Sequence, residues 1–155
     1  MNLEGPVEVI FDTSVIIGAV LENYHEEAGC VSRNALNSII ERCHILRISE
    51  EIEKECRKDL MKRGLPPHLI LPILFGPLEP KGKIKRLSYR SEDIRLRVSV
   101  PEHNRHVVEA AVAIKRRGIT VCLVHKNPNH FDPIREEMRR NHDLLVLTSE
   151  EYLDP

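Results

Sequence analysis

The sequence has no tryptophan, only 4% aromatic residues and a formal net charge of −1 over 155 residues. Because aromatic residues are scarce, we expect Ile, Leu, Val and Ala to fill the core. The balanced charge gives no overall attraction to nucleic acid or membrane, so any polyanion must bind through a local patch. With 41% hydrophobic residues, the chain is too apolar for disorder and long enough for one domain with a real core.

The sequence also lacks a long apolar run and a secretory leader. No stretch approaches the length that spans a bilayer, and residues 1–6 are short and polar, so we expect a cytoplasmic protein. The four cysteines, at positions 30, 43, 56 and 122, contain no CxxC pair, which disfavours a zinc ribbon. All four fall in helical or strand-like patterns, so we expect buried, reduced thiols, although spacing alone leaves a disulfide open.

Strands and helices alternate along most of the sequence. Short β-branched and apolar runs predict strands at 7–11, 45–48, 119–124 and 144–148. Apolar residues at helical spacing predict helices after Asp12, at about 26–42, after Ser49, at 107–117 and from Asp132 to about Arg140. This alternation favours a single α/β domain over residues 1–155, with helices on both faces of a mainly parallel sheet in three α/β/α layers.

The segment from about residue 76 to 100 interrupts this alternation. Prolines and a glycine punctuate it, and charged and apolar residues then alternate, which fits a hairpin insertion or an extended arm. Between positions 81 and 97 it has seven Lys or Arg against two acids, the chain's main basic stretch. Solvated surface is the simple interpretation. The alternative is a nucleic-acid-binding element, whose candidate residues are Lys81, Lys83, Lys85, Arg86 and Arg90.

Two acidic residues occupy positions where such folds bind ligands. Asp12 follows the first predicted strand directly, at the turn into a helix. The carboxyl ends of parallel strands are where open α/β sheets hold ligands. Glu55 lies three residues after Ile52, beside the apolar stripe of the helix that Ser49 caps, so it can point along the edge of the sheet.

Four segments, in order, resemble the PIN nuclease family. VIFDTSVIIGAV resembles the family's first strand and helix, where the strand ends in a metal-binding Asp. ILRISEEIEKEC resembles the strand and helix that carry the family's Glu. NRHVVEAAVAIKRRGITVCLVHKN and LLVLTSEEYL resemble its later helix and last two strands. The resemblance covers most of the chain except roughly residues 65–100 and implies a PIN-like fold.

The resemblance also implies a site. Members of this family cut RNA with Mg²⁺ or Mn²⁺ held by three or four carboxylates. The matching positions here are Asp12, Glu55, Asn104 and Asn127, with His125 in place of the usual Thr. Because Asn offers an oxygen but no charge, each replacement removes an ion pair worth on the order of several kcal/mol at about 4 Å. We therefore expect metal binding by Asp12 and Glu55 to be weak or absent.

Two functional hypotheses follow. The first is a PIN-like domain of nuclease ancestry that associates with single-stranded or structured RNA, with a protein partner or with a second copy of itself, and cleaves weakly or not at all. The second is a Mg²⁺- or Mn²⁺-dependent ribonuclease, toxin-like or RNA-processing. It would use Asp12 and Glu55 as ligands and Asn104 and Asn127 as neutral helpers.

Other interpretations of these positions stay open. Glu102 or Asp132 could replace a missing acid if its loop folds inward. Asp12 could serve only to cap the following helix, and Asn104 could be a helix N-cap. Glu55 could belong to a solvated helix face.

The histidines suggest a different site. His103, His106, His125 and His130 come from two segments that the fold brings near one sheet edge. Together with Asp12 they could bind a transition metal, although no HxxxH pair on one helix face supports this.

Overall fold

The computed structural model describes residues 3, 6–25, 31–115 and 119–154. Its strands are β1 (Val7–Phe11), β2 (His44–Ser49), β3 (Ile84–Leu87), β4 (Thr120–His125) and β5 (Leu145–Thr148). Its helices are α1 (Thr13–His25), α2 (Val31–Glu41), α3 (Glu50–Lys62), α4 (Gly76–Leu78), α5 (Glu102–Ile114), α6 (Pro128–His142) and α7 (Ser149–Leu153). Shorter helical turns lie at Pro67–Leu69, Leu71–Phe75, Glu79–Lys81 and Ser91–Asp93.

The five strands form one all-parallel sheet in the order β3-β2-β1-β4-β5. The chain steps outward from β1 to β3 and then crosses back to β4 and β5. Because crossovers between parallel strands are right-handed, this reversal places α1 to α3 on one face and α5 and α6 on the other. The predicted three-layer α/β/α class with a mainly parallel sheet is confirmed.

The core is aliphatic, as the composition predicts. Central strand β1 is buried at four of its five positions, and β4 at five of six, because helices cover both faces of the sheet. The few aromatic residues add to this core: Phe11 packs edge-on against Tyr152 with ring centroids 6.2 Å apart. Among the described residues, no helix combines the length and apolarity needed to cross a membrane.

Helix α1 packs against α2 at a glycine. A Cβ atom on Gly18 would lie 2.4 Å from Ser32 Oγ, so any larger residue here would force the Ser32 side chain or the two helices to shift. Glu22 of α1 accepts hydrogen bonds from the Ser32 and Arg33 amides at 3.3 and 2.6 Å, which satisfies the exposed N–H groups at the start of α2. Of the helix predicted at 26–42, positions 26–30 lie outside the described residues.

The hairpin expected within residues 76–100 is wrong. The strand in that segment, β3, pairs in parallel with β2 at the edge of the sheet. Ile84 and Leu87 are buried while Lys85 and Arg86 are exposed, so the mixture of apolar and charged residues reflects a half-covered edge strand. Only Ile84–Leu87 of the segment belong to the sheet, and the rest forms short helical turns and irregular chain.

The predicted start of α6 at Asp132 is also wrong. The helix begins at Pro128, where the missing proline N–H costs no hydrogen bond, and Pro133 lies inside it. The cysteine prediction holds for Cys56 and Cys122, which are buried free thiols, and burial raises the pKa of Cys122 to about 12. Cys43 is exposed in the turn before β2, and Cys30 lies outside the described residues.

Candidate functional site

Asp12 directly follows the central strand β1, at the edge of the sheet where β1 and its neighbour β4 end. Its amide donates to the carbonyl of Val124 in β4 at 2.8 Å, and its side chain is buried. The connections that follow β1 and β4 leave toward opposite faces of the sheet, so a crevice opens between them. This is the usual ligand position of an open parallel sheet.

Neighbouring groups hold the Asp12 carboxylate. The amide and hydroxyl of Ser14 donate to its Oδ2 at 3.2 and 2.5 Å, and the amide nitrogen of Asn127 lies 3.5 Å from the same oxygen. The bond from the Ser14 amide is the contact that an N-cap residue makes, so Asp12 does help to begin α1. Oδ1 has no hydrogen bond within the described part of the chain and remains available to a ligand.

The four residues chosen from the sequence line one cleft of about 660 Å³. Asp12 ends β1, Glu55 lies on α3, Asn104 lies in the first turn of α5 and Asn127 precedes α6. The cleft thus gathers side chains from both halves of the fold at the carboxyl edge of the sheet.

Glu55 does not enter the cleft as an isolated carboxylate. Its Oε2 pairs with Nε2 of His106 on α5. The close contact with His106 lowers the pKa of Glu55 against the opposing effect of burial. Burial alone would lower the pKa of His106, but its contact with Glu55 raises it above the usual value. Each partner therefore stabilises the charged form of the other.

Asn104 offers an unused donor to the cleft. The residue is 6% exposed, and among the described residues its Nδ2 atom has no hydrogen-bond partner. It lies inside α5, where Pro101 occupies the N-cap position and no side-chain cap bond forms, so the N-cap alternative for Asn104 is wrong. A buried N–H group without a partner costs about 1–3 kcal/mol, which an oxygen atom of a bound ligand would offset.

These residues do not fit a pair of divalent cations. Over residues 3, 6–25, 31–115 and 119–154, no three His, Cys, Asp or Glu side chains come together as a metal-binding group. Glu55 is already paired with His106. Glu102 and Asp132, the possible substitute acids, are exposed and do not line the cleft. Of the three acids that line the cleft, Asp59 pairs with Arg63 and Glu55 with His106, which leaves too little negative charge for two closely spaced metal ions.

The rim of the cleft carries cations that the sequence reasoning missed. Lys58, Lys62 and Lys126 line it with exposed side chains, and Arg63 lies beside them. None of the three lysines forms an ion pair with another described residue. Lys58 and Lys62 follow Glu55 by three and seven positions, which places all three on one face of α3. This helical spacing is the feature of the sequence from which the cationic rim could have been predicted.

The predicted nucleic-acid-binding residues of segment 76–100 lie elsewhere. None of the five lines the cleft. Lys83 donates to the Arg42 carbonyl at 2.8 Å, Arg86 pairs with Glu53, and Arg90 pairs with a neighbouring acid. The remaining two are exposed. Binding of RNA by this segment stays a prediction.

The four histidines do not form one metal site. His106 pairs with Glu55, and buried His125 stacks on Phe131 with ring centroids 4.6 Å apart. Burial lowers the pKa of His125. Only His103 and His130 face each other, with Nε2 and Nδ1 3.5 Å apart, at the edge of the same cleft.

No protein-family model matches this chain, and no curated protein is significantly similar to it. A three-layer α/β/α fold carries many unrelated activities and does not by itself assign one. Any function must therefore be argued from the chemistry of the cleft and from the sequence resemblance.

Proposed function

We propose that this chain is a PIN-like domain of nuclease ancestry that binds the phosphate backbone of RNA in its cleft and cleaves weakly or not at all. The observation that carries the proposal is the pairing of Glu55 with His106 in a cleft rimmed by Lys58, Lys62 and Lys126. The first feature disfavours metal-dependent cleavage, and the second favours attraction of a polyanion.

The rim supplies the affinity in this proposal. Exposed lysines without acidic partners neutralise phosphates and release counterions, which is the main source of sequence-independent binding to nucleic acid. Lys58 and Lys62 lie one turn apart on α3, while Lys126 approaches from the loop after β4. A strand of RNA running between them would contact both sides of the cleft.

The interior of the cleft disfavours metal-dependent cleavage. Asp12 is the one acid of the predicted site that is not paired with a cation. The charged form of His106, which Glu55 stabilises, repels a divalent ion that would otherwise use the same carboxylate. The unpartnered amide donor of Asn104 suits an oxygen of the ligand rather than a metal ion.

Fluorescence anisotropy with a labelled single-stranded RNA tests where binding occurs. The Lys58→Glu/Lys62→Glu variant should bind at least roughly tenfold more weakly than the wild type and show a shallower salt dependence. The matched control is Arg139→Glu/Arg140→Glu, with the same change of charge on exposed residues outside both the cleft and segment 76–100. Lys81→Glu/Lys85→Glu tests the competing site in that segment. Equal affinity of wild type and cleft variant, or a loss confined to Lys81→Glu/Lys85→Glu, would refute binding at the cleft.

The second candidate is a Mg²⁺- or Mn²⁺-dependent ribonuclease, and one observation favours it: Asp12 and Glu55 line the same cleft. The purified protein is incubated with single-stranded RNA and Mn²⁺ beside Asp12→Asn, which keeps the shape of the side chain. The first proposal expects little or no difference between them. Efficient cleavage that disappears in Asp12→Asn would replace it with the ribonuclease.

A further inference from the structure

His103 and His130 come together at the mouth of the cleft from different helices. His103 lies in the first turn of α5, and His130 lies in the first turn of α6. Their rings meet edge to face, with centroids 4.9 Å apart and an angle of 75° between the planes. Both residues are exposed, so solvent and ions reach the ring nitrogens directly.

The separation of the two nitrogens is informative. His103 Nε2 and His130 Nδ1 are 3.5 Å apart, which is longer than a normal N–H···N hydrogen bond and contributes little as one. Two imidazole nitrogens that bind the same tetrahedral ion at 2.0–2.1 Å are separated by about 3.3 Å. The observed geometry therefore needs only a small adjustment to hold a metal ion between the rings.

The surrounding charge is mixed. Asp12 and Glu55 line the same cleft as the two histidines. These carboxylates favour a cation, whereas Lys126 and Lys58 on the rim oppose it. Imidazole suits Zn²⁺, Cu²⁺ and Ni²⁺, which bind it by accepting a lone pair, while Mg²⁺ and Ca²⁺ depend on oxygen ligands and charge.

We propose that His103 and His130 bind one transition-metal dication of the Zn²⁺ class, through Nε2 of His103 and Nδ1 of His130. Among the described residues no third His, Cys, Asp or Glu joins them, so water or an oxygen of a bound anion takes the remaining positions. The site is distinct from the Asp12 and Glu55 carboxylates and does not depend on the proposed RNA binding.

Calorimetric titration of the metal-free 155-residue chain with Zn²⁺ tests this site. The wild type should take up one equivalent that His103→Ala and His130→Ala each weaken by at least roughly tenfold, because a single imidazole binds the ion much more weakly than a pair. His68→Ala is the matched control, since His68 is also exposed but lies outside the cleft. Circular dichroism verifies that each variant is folded.

Two further measurements separate this site from other sources of binding. Absorption spectra with Co²⁺ should lack the intense thiolate bands that ligation by exposed Cys43 would produce. Mg²⁺ should not compete with Zn²⁺, since it does not favour imidazole. Zinc binding that survives both histidine substitutions, or that only one of them weakens, would overturn the proposal, as would the absence of saturable binding.

Discussion

The imidazole of His106 on α5 pairs with the carboxylate of Glu55 on α3, so one helix supplies a positive partner to an acid on the other. The pair lies beside the crevice that contains Asp12. It matters because Glu55 is one of only two acids among the four predicted site residues. Competition between the imidazole and a metal ion for this carboxylate therefore determines the affinity of the cleft for cations.

Replacing His106 by Gln should strengthen Mn²⁺ binding. The change removes the charged competitor of Glu55 and leaves the carboxylate free to face the cleft, so we expect Mn²⁺ affinity to rise roughly tenfold, or about 1.4 kcal/mol. Electron paramagnetic resonance of free Mn²⁺ measures the affinity. His68→Gln, an exposed substitution outside the cleft, should leave it unchanged. Unchanged or weaker binding in His106→Gln would show that the imidazole does not block a metal.

Restoring the two missing acids should make stability depend on metal. In Asn104→Asp/Asn127→Asp, new carboxylates join Asp12 and Glu55, and Asn104 is nearly buried. Without a cation these charges repel one another and lose solvation, so we expect the free energy of unfolding to fall by about 1–3 kcal/mol. Mn²⁺ should recover that loss because it binds the folded state.

Thermal unfolding in EDTA and in Mn²⁺ measures this effect. Asn129→Asp is a suitable control. Asn129 lies exposed in the first turn of α6, two residues after Asn127, and does not line the cleft. Its melting temperature should respond little to Mn²⁺. A double variant that is as stable as the wild type in EDTA would mean that the side chains do not converge as described.

Replacing Gly18 by Ala should destabilise the protein, although alanine normally stabilises a helix relative to glycine by about 1 kcal/mol. The new methyl group would lie 2.4 Å from Ser32 Oγ and 3.0 Å from Ser32 Cβ, so the Ser32 side chain must turn away and the contact between α1 and α2 must loosen. We expect a loss of about 1–3 kcal/mol in urea unfolding. Adding Ser32→Gly removes both obstructing atoms and should recover most of it. A stabilised Gly18→Ala protein would contradict the close helix approach.

Much of the fold could be predicted because burial leaves a clear pattern. β4 is covered on both faces and appears as an unbroken apolar run, and β1 ends at Asp12 with a clear turn into α1. The parallel pairing of β3 was missed because the exposed charges of Lys85 and Arg86 in this short edge strand made the segment resemble a hairpin insertion or an arm. Edge strands carry such residues because one side faces solvent.

The site could be predicted only in part, for a physical reason. The family resemblance identified Asp12 and Glu55, which lie in segments with their own local signature. Lys58 and Lys62 look like any solvated helix face until the location of the cleft is known. The partner of Glu55 is fixed by how α3 and α5 approach each other, and no local pattern encodes that contact.

We expect protonation of His44 to lower the free energy of unfolding in mild acid. The ring is fully buried, and Nε2 donates to the Leu3 carbonyl at 2.9 Å, so in the neutral ring Nδ1 accepts from the Tyr152 hydroxyl at 2.6 Å. Burial lowers the pKa of His44, and nearby Arg42 and Lys83 lower it further against the opposing bond to Leu3. The unfolded chain therefore binds a proton at His44 more readily than the folded chain does. The free energy of unfolding is unaffected by this group above its ordinary pKa of 6.5 and falls as the pH drops below that value.

Urea unfolding of the wild type and His44→Gln at about pH 7.5 and about pH 5.5 isolates this contribution. The wild type should lose more stability between the two conditions than the variant, although the variant is less stable at both because two buried hydrogen bonds change. Comparing the two proteins removes the effects of His125, whose pKa is also lowered, and of His106, whose raised pKa acts in the opposite direction. An equal loss in both proteins would show that the imidazole of His44 does not set the acid sensitivity of the fold.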